Sequence, residues 1–192
     1  MSFFKPCFEN TTRGAVRSLK QCAILGATVT LPLIARVGTA AAQSQISAPL
    51  RAAIIKKVIS YDKTLPATTN ATVFVYYSGA TSNEANELTG ALTRAGVATQ
   101  AVASEDDLKR RSADVKVLYV LADDAPAGVR NYCKQTHCLS MTSSIAMVEQ
   151  GDASVAIAAL NGKPQLAVHM KRLSDEKHDL SAEMLQLARV IR

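Results

Sequence analysis

The sequence lacks the short motifs on which many enzymes depend. It contains no G-x-x-x-x-G-K phosphate-binding loop, no G-x-G-x-x-G after a predicted strand and no G-x-S-x-G turn. Its three histidines, His137, His169 and His178, have no carboxylate or cysteine partner at metal-ligand spacing, apart from the adjacent Cys138. We therefore expect no catalytic residues, no metal site and no cofactor. Each histidine is interpreted as a surface or strand-end residue.

A long hydrophobic run is also missing, which excludes a membrane-spanning helix of about 20 apolar residues. The apolar stretch at residues 22–35 is shorter, follows a basic start and precedes three alanines at residues 40–42. This order is typical of a cleavable secretory signal peptide. An amphipathic anchor helix is the alternative, and Pro32 inside the stretch argues against it. We predict a signal peptide over residues 1–42, a periplasmic location, and one mature domain over residues 43–192.

The mature part of the chain has little excess charge. The whole sequence carries 22 basic and 16 acidic residues, and residues 1–42 hold five of the former and one of the latter. This leaves 17 against 15, a net charge of +2. The basic cluster at residues 109–111 comes shortly after three acidic residues, at 105–107. This order is typical of a solvated helix with internal charge pairs. No nucleic-acid surface is predicted, because that needs lysines and arginines gathered on one face.

Few cysteines remain after the predicted cleavage, since only Cys133 and Cys138 lie beyond residue 42. In an oxidising compartment an even pair at this spacing favours a disulfide, which would stabilise the protein by only about 2 kcal/mol because the loop is short. A redox site is the alternative, with His137 able to lower the pKa of a neighbouring thiol. The C-x4-C spacing differs from the C-x-x-C of redox motifs.

The remaining pattern alternates strands and helices, which predicts an α/β fold. Two runs, at residues 73–77 and 115–122, are apolar on both faces and indicate buried parallel strands. Asn161-Gly162 predicts a two-residue hairpin turn. We expect a single-domain sandwich with a mixed, mostly parallel sheet, helices on both faces, and a C-terminal antiparallel hairpin plus helix. The predicted helices are 48–61, 82–95, 105–113, 127–135 and 174–190, and the other strands are 97–103, 138–141, 153–160 and 164–170.

Two predicted strands end in polar residues that could border a crevice. Ser78-Gly79 follows the first buried strand, and Asp123-Asp124 follows the second. Ligands of open parallel sheets bind beyond the carboxyl ends of the strands. Asp123 is also placed like the phospho-acceptor of a receiver domain, but the first strand has no acidic pair for Mg²⁺. A solvated loop is the preferred interpretation of the aspartates.

Three stretches together resemble the YfiR-type family of periplasmic proteins. They are the opening helix with its Tyr61-Asp62-Lys63 end (residues 54–65), the hairpin (residues 151–170) and the closing helix (residues 180–191). The resemblance implies a small non-enzymatic protein whose best-known type represses a membrane-bound diguanylate cyclase. It also implies a disulfide between Cys133 and Cys138. A homodimer is the oligomeric state that it suggests for testing.

Three functions follow as hypotheses. The first is a periplasmic regulator of cyclic-di-GMP signalling that contacts a membrane sensor protein, either a diguanylate cyclase or a sensor kinase. Tyr61, Asp62 and Lys63 are its candidate interaction residues, although a simple turn before Pro66 explains them equally well. The second hypothesis is a small-ligand-binding module that uses the strand-end crevice. The third is an exported thiol enzyme that uses Cys133, Cys138 and His137.

Overall fold

A seven-stranded sheet organises the structure. The computed structural model describes residues 46–66, 71–111, 115–121 and 126–192. The predicted signal peptide and its cleavage site lie outside these described residues. Within them, no helix combines the length and the apolar character needed to cross a membrane.

The elements alternate along the chain as the sequence predicts. The helices are α1 (Ala48–Ser60), α2 (Ser82–Arg94), α3 (Glu105–Arg110), α4 (Ala127–Thr136), α5 (Ile145–Glu149), α6 (Met170–Asp175) and α7 (Ala182–Gln186). The strands are β1 (Val73–Tyr76), β2 (Thr99–Val102), β3 (Val117–Val120), β4 (Leu139–Thr142), β5 (Val155–Leu160), β6 (Lys163–His169) and β7 (Ala188–Ile191). A single 3₁₀ turn (Gly79–Thr81) precedes α2.

The sheet order is β2-β1-β3-β4-β5-β6-β7. The first five strands in this order are parallel, β6 is antiparallel to β5, and β7 is parallel to β6. The predicted α/β class with a mixed, mostly parallel sheet is therefore confirmed. The order reverses direction between β1 and β3, and parallel sheets place their ligand crevices beside such a point.

Each central strand is buried on both faces. In β1, Val73 and Val75 pack with α1 and α2, whereas Phe74 and Tyr76 pack on the side of α3 and α4. This alternation follows from the two-residue period of a strand. It explains why β1 is a continuous apolar run, since helices cover both faces of a parallel sheet.

The predicted hairpin is confirmed. Asn161 and Gly162 connect β5 and β6 with φ values of 52° and 74°. A two-residue turn of this type needs positive φ at both positions, which asparagine and glycine tolerate best.

The single closing helix predicted at residues 174–190 is wrong. The segment is divided into the end of α6, then α7, and then β7, which adds a parallel strand beside β6. Lys177 ends the first piece in the left-handed region at φ 60°, and the Ser181 hydroxyl caps α7. Leu187, which one continuous helix would place toward the core together with Leu180 and Met184, is 75% exposed. The short helix α5, between β4 and β5, was not predicted.

Candidate functional site

A cavity of about 360 Å³ lies at the carboxyl ends of β3, β4 and β5. The β3 end contributes Leu121, and the start of α2 contributes Thr81 and Glu84. Parallel strands gather their carboxyl ends at one edge, so residues far apart in sequence line one space. The other lining residues are Ile46, Arg51, Ser143, Ser144, Ile145, Ala146, Ile157, Ala158, Ala159 and Leu160.

An ion pair forms one wall of the cavity. Arg51, in α1, donates from Nη1 to Glu84 Oε1, and its Nη2 lies 3.3 Å from the carbonyl oxygen of Ile46. Only 4% of the Arg51 side chain is exposed, compared with 27% for Glu84. Arg51 Nε is buried without a hydrogen-bond partner among the described residues. Glu84 therefore presents the accessible charge, with the guanidinium held behind it.

Tyr119 supports this pair from within the sheet. The guanidinium carbon of Arg51 lies 6.0 Å from the centre of the Tyr119 ring, within the range of a cation–π contact. Burial raises the pKa of the Tyr119 hydroxyl far above its ordinary value of 10.0, while the positive charge of Arg51 acts in the opposite direction. The hydroxyl therefore stays protonated and uncharged, on the strand that ends at the cavity.

Local capping fixes the loops around the cavity. Before α2, the Ser78 backbone N–H donates to Thr81 Oγ1 at 3.1 Å, which closes the 3₁₀ turn. Glu84 follows in the first turn of α2, where a negative charge suits the helix dipole. After β4, Ser144 caps α5 by accepting from the Met147 N–H at 3.4 Å.

The cavity lies at the strand ends where the sequence predicts a crevice, but the residues that line it differ from the predicted ones. Ser78 and Gly79 are exposed and do not line the cavity, and Asp123 and Asp124 lie outside the described residues. The sequence reasoning missed Arg51, which sits in an otherwise apolar helix face and could have been noticed there. Ser143 and Glu84 do not stand out from their neighbours in the sequence in this way.

The candidate interaction residues Tyr61, Asp62 and Lys63 end α1. Tyr61 is half-buried, Asp62 is buried, and Lys63 is exposed. Lys63 Nζ lies 2.9 Å from Asp179 Oδ2. Asp62 Oδ1 accepts from the Thr64 N–H at 2.8 Å, the turn-forming bond that the sequence suggested. The interaction role stays a prediction, with Lys63 as the exposed side chain of the three.

His178 is the partner of Asp62, which corrects its interpretation as a surface residue. It is 8% exposed, and its Nδ1 lies 2.8 Å from Asp62 Oδ2. Its Nε2 donates to the carbonyl oxygen of His137 at 3.2 Å. Burial raises the pKa of Asp62, but hydrogen bonds from His178 and Thr64 outweigh it and leave this pKa below the ordinary 3.8. The cluster joins α1 to the α6–α7 connection.

His169 and His137 have simpler roles. His169 ends β6, and its Nδ1 accepts from the Arg172 N–H at 3.2 Å to cap α6. His137 is exposed and ends α4 in the left-handed region. Both positions agree with the surface or strand-end interpretation.

Cys133 and Cys138 are buried thiols whose sulfur atoms lie 3.2 Å apart. The contact with Cys138, together with burial, raises the pKa of Cys133 well above its ordinary value of 9.0. A raised thiol pKa disfavours the nucleophilic thiolate and so disfavours the thiol-enzyme hypothesis. The disulfide stays a prediction, and the two sulfurs are close enough for it to form with a small movement.

A second buried ionic cluster surrounds Glu176, just after α6. Its Oε1 accepts from Arg172 Nε and Ser140 Oγ, each at 2.7 Å, and its Oε2 accepts from the Ser140 N–H at 3.0 Å and from Ser154 Oγ. Arg172 also donates to the Arg130 carbonyl at 2.8 Å. Because every charge is paired, this cluster is structural and fixes α6 against β4.

No group of three or more histidine, cysteine or acidic side chains that could hold a metal ion occurs in the described ranges. Among the described residues of the cavity wall, Glu84 is the one acidic side chain, and a single carboxylate is a poor cation site. These residues therefore suit an organic ligand better than a metal ion.

Comparison with known proteins gives the fold. No family model matches the chain, and no curated protein matches it. A solved ABC domain in complex with L-Trp from Streptococcus pneumoniae is similar at 15% identity, with a TM-score of 0.59. The match covers 76% of this chain and 60% of that one. A conserved domain protein from Vibrio cholerae O1 biovar El Tor is similar at 12% identity and a TM-score of 0.57, with coverages of 78% and 62%.

At these identities the likeness shows a shared α/β fold. The chain spans about 60% of the length of the two structures. The resemblance to the YfiR-type family was not tested by these comparisons and stays a prediction.

Proposed function

We propose that this protein is a non-enzymatic module that binds a small organic ligand in the cavity beyond β3, β4 and β5. The observation that carries the proposal is the cavity itself, whose volume of about 360 Å³ falls within the range of small-molecule sites. Its wall combines apolar side chains with the polar groups of Arg51, Glu84 and Ser143, and such polar groups orient a ligand in small-molecule sites. The similar Streptococcus domain was solved with L-Trp, which supports the choice of a small ligand.

A thermal-denaturation screen against small metabolites tests the proposal. A ligand that binds only the folded protein raises its stability by mass action, by about 2.7 kcal/mol at 100 times its Kd. Amino acids, including L-Trp, are the first compounds to screen. We expect at least one compound to shift the midpoint in a concentration-dependent way.

A cavity-filling variant shows where the ligand binds. Ala146 is exposed and lines the cavity, so Ala146→Trp adds bulk there without disturbing the core. Ala127→Trp, at an exposed position at the start of α4, is the matched control. The Ala146 variant should lose the ligand-induced shift and the Ala127 variant should keep it. A shift that persists in both variants contradicts binding in this cavity.

Regulation of a membrane sensor protein is the second candidate, and an exposed apolar groove favours it. The groove is lined by Ile54, Lys57, Leu166, Met184 and Leu187, among others. Leu187 in this groove is 75% exposed. Because exposed apolar surface is typical of protein contacts, we propose the groove as the surface for a diguanylate cyclase or sensor kinase. Crosslinking from the native envelope should capture one such protein, and Leu187→Ser should abolish the capture.

A further inference from the structure

The charges of the described cavity wall are balanced. Arg51 and Glu84 are the two charged side chains among the described lining residues, and they are paired with each other. The Glu84 carboxylate has a second oxygen, Oε2, that forms no hydrogen bond with described residues. Arg51 Nε is likewise buried and unpartnered. The pair therefore leaves one acceptor and one donor unsatisfied, while its net charge is zero.

A ligand with a net charge would disturb this balance. In a partly enclosed cavity, an uncompensated charge loses hydration that the protein does not replace. An anion would face the accessible Glu84 carboxylate, and a cation bound to that carboxylate would add its charge to that of the guanidinium behind it. A zwitterion offers an ammonium group to Glu84, and its carboxylate gains from the Arg51 charge and the Ser143 hydroxyl.

The rest of the wall sets the shape of the ligand. Beside the polar groups it carries apolar side chains, which come from the ends of β3 and β5, from α5 and from Ile46 before α1. A compact apolar group would replace water there favourably. The apolar lining residues are Ile46, Leu121, Ile145, Ala146, Ile157, Ala158, Ala159 and Leu160.

We infer that the Arg51–Glu84 pair makes the cavity selective for zwitterionic ligands of the class of small apolar α-amino acids. This inference rests on the proposed function, because it specifies the ligand of the same cavity. Glu84 binds the ammonium group, and Arg51 acts as a positioning residue that orients Glu84 and balances its charge.

Probes that share one apolar group and differ in their charged groups test the inference on the unmodified protein. L-phenylalanine is zwitterionic, hydrocinnamate is the anion without the amine, phenethylamine is the cation without the carboxylate, and hydrocinnamyl alcohol is uncharged. L-leucine, isocaproate and isoamylamine form a second set. By calorimetric titration we expect the zwitterion of at least one set to bind at least about tenfold more tightly than its charged analogues.

A charge substitution should then invert the preference. Glu84→Gln keeps the shape of the side chain but gives the wall a net positive charge, so hydrocinnamate or isocaproate should now bind more tightly than the amino acid. In the double variant Arg51→Gln/Glu84→Gln both charges of the pair are removed, and the uncharged alcohol should bind at least as tightly as the zwitterion. Circular dichroism of each variant confirms that it is folded before titration.

The outcomes separate this inference from the proposed function. If screened ligands bind the cavity but none of the zwitterions is preferred, the selectivity is wrong and the binding function stands. If the zwitterion is preferred and Glu84→Gln leaves the preference unchanged, the assignment to the Arg51–Glu84 pair is wrong. If no compound of any charge binds, the proposed function fails and the inference fails with it.

Discussion

Two buried carboxylates, Asp62 and Glu176, depend on partners that are far away in the sequence. Asp62 lies 2.8 Å from His178, and Glu176 accepts hydrogen bonds from Ser140 and Ser154 as well as from its helix neighbour Arg172. A buried charge is stable only when such partners are present. These residues therefore hold the α6–α7 region onto the sheet and onto the end of α1.

At the residue scale, Asp62→Asn should destabilise the protein most at neutral pH. The folded-state pKa of Asp62 is below its ordinary 3.8, because hydrogen bonds from His178 and Thr64 outweigh the effect of burial. The stabilisation is therefore fully present above pH 3.8 and is lost as the pH falls through the lower folded-state pKa. We expect a loss of about 2 kcal/mol in the free energy of unfolding at neutral pH, and this loss should shrink as the pH falls below 3.8.

The matched control is Asp179→Asn. Asp179 pairs with Lys63, but the Asp179 side chain is 62% exposed and the Lys63 side chain is 59% exposed. Exposed pairs contribute about 1 kcal/mol or less, so this variant should change stability little at any pH. Urea denaturation at a series of pH values compares the two. A pH-independent difference between the wild type and Asp62→Asn would show that the carboxylate charge contributes nothing.

At the scale of elements, the sequence predicts the strands of the parallel sheet better than the end of the chain. The β1 and β3 runs are buried on both faces, and no helical period competes with them. The segment after residue 174 is different, because Leu180, Met184 and Leu187 have helical spacing although the helix stops at Gln186. The stop depends on β6 offering an edge on which β7 can pair, which is a tertiary effect.

Two alanine substitutions distinguish the helix–strand arrangement from one continuous helix. Met184 is 3% exposed in α7, whereas Leu187 is 75% exposed after its end. Met184→Ala should cost about 2 to 5 kcal/mol in the free energy of unfolding, and Leu187→Ala should change it by less than about 0.5 kcal/mol. Chemical denaturation measures both. Equal losses would indicate that Leu187 is buried in the core, as a continuous amphipathic helix requires.

At the scale of the whole molecule, the topology explains what was predictable about the site. Strand–helix alternation predicts a parallel sheet, and such a sheet places its ligand crevice at the carboxyl ends of the strands. The sequence thus indicates at which edge of the sheet the cavity lies. It does not indicate that Arg51 of α1 reaches Glu84 of α2 at that edge, because this contact depends on how the two helices pack. The lining residues of a cavity are a property of packing and have no sequence motif.

The burial of Cys133 and Cys138 determines when their predicted disulfide can form. Both thiols are inaccessible in the folded protein, and the pKa of Cys133 is raised, so attack by an external oxidant needs local opening. In the unfolded chain the same thiols are exposed. We expect residues 43–192 to gain the disulfide quickly when refolded in an oxidised glutathione buffer. The folded, reduced protein should oxidise far more slowly in the same buffer.

Alkylation followed by mass spectrometry at timed intervals measures both rates, and Cys138→Ser provides the control that cannot close the bond. A low concentration of urea should speed oxidation of the folded protein, because it increases the open population. The oxidised form should then be about 2 kcal/mol more stable than the reduced form, since the closed loop is short. Equal oxidation rates for the folded and unfolded chains would contradict the buried position of the pair, because only accessible thiols react without opening.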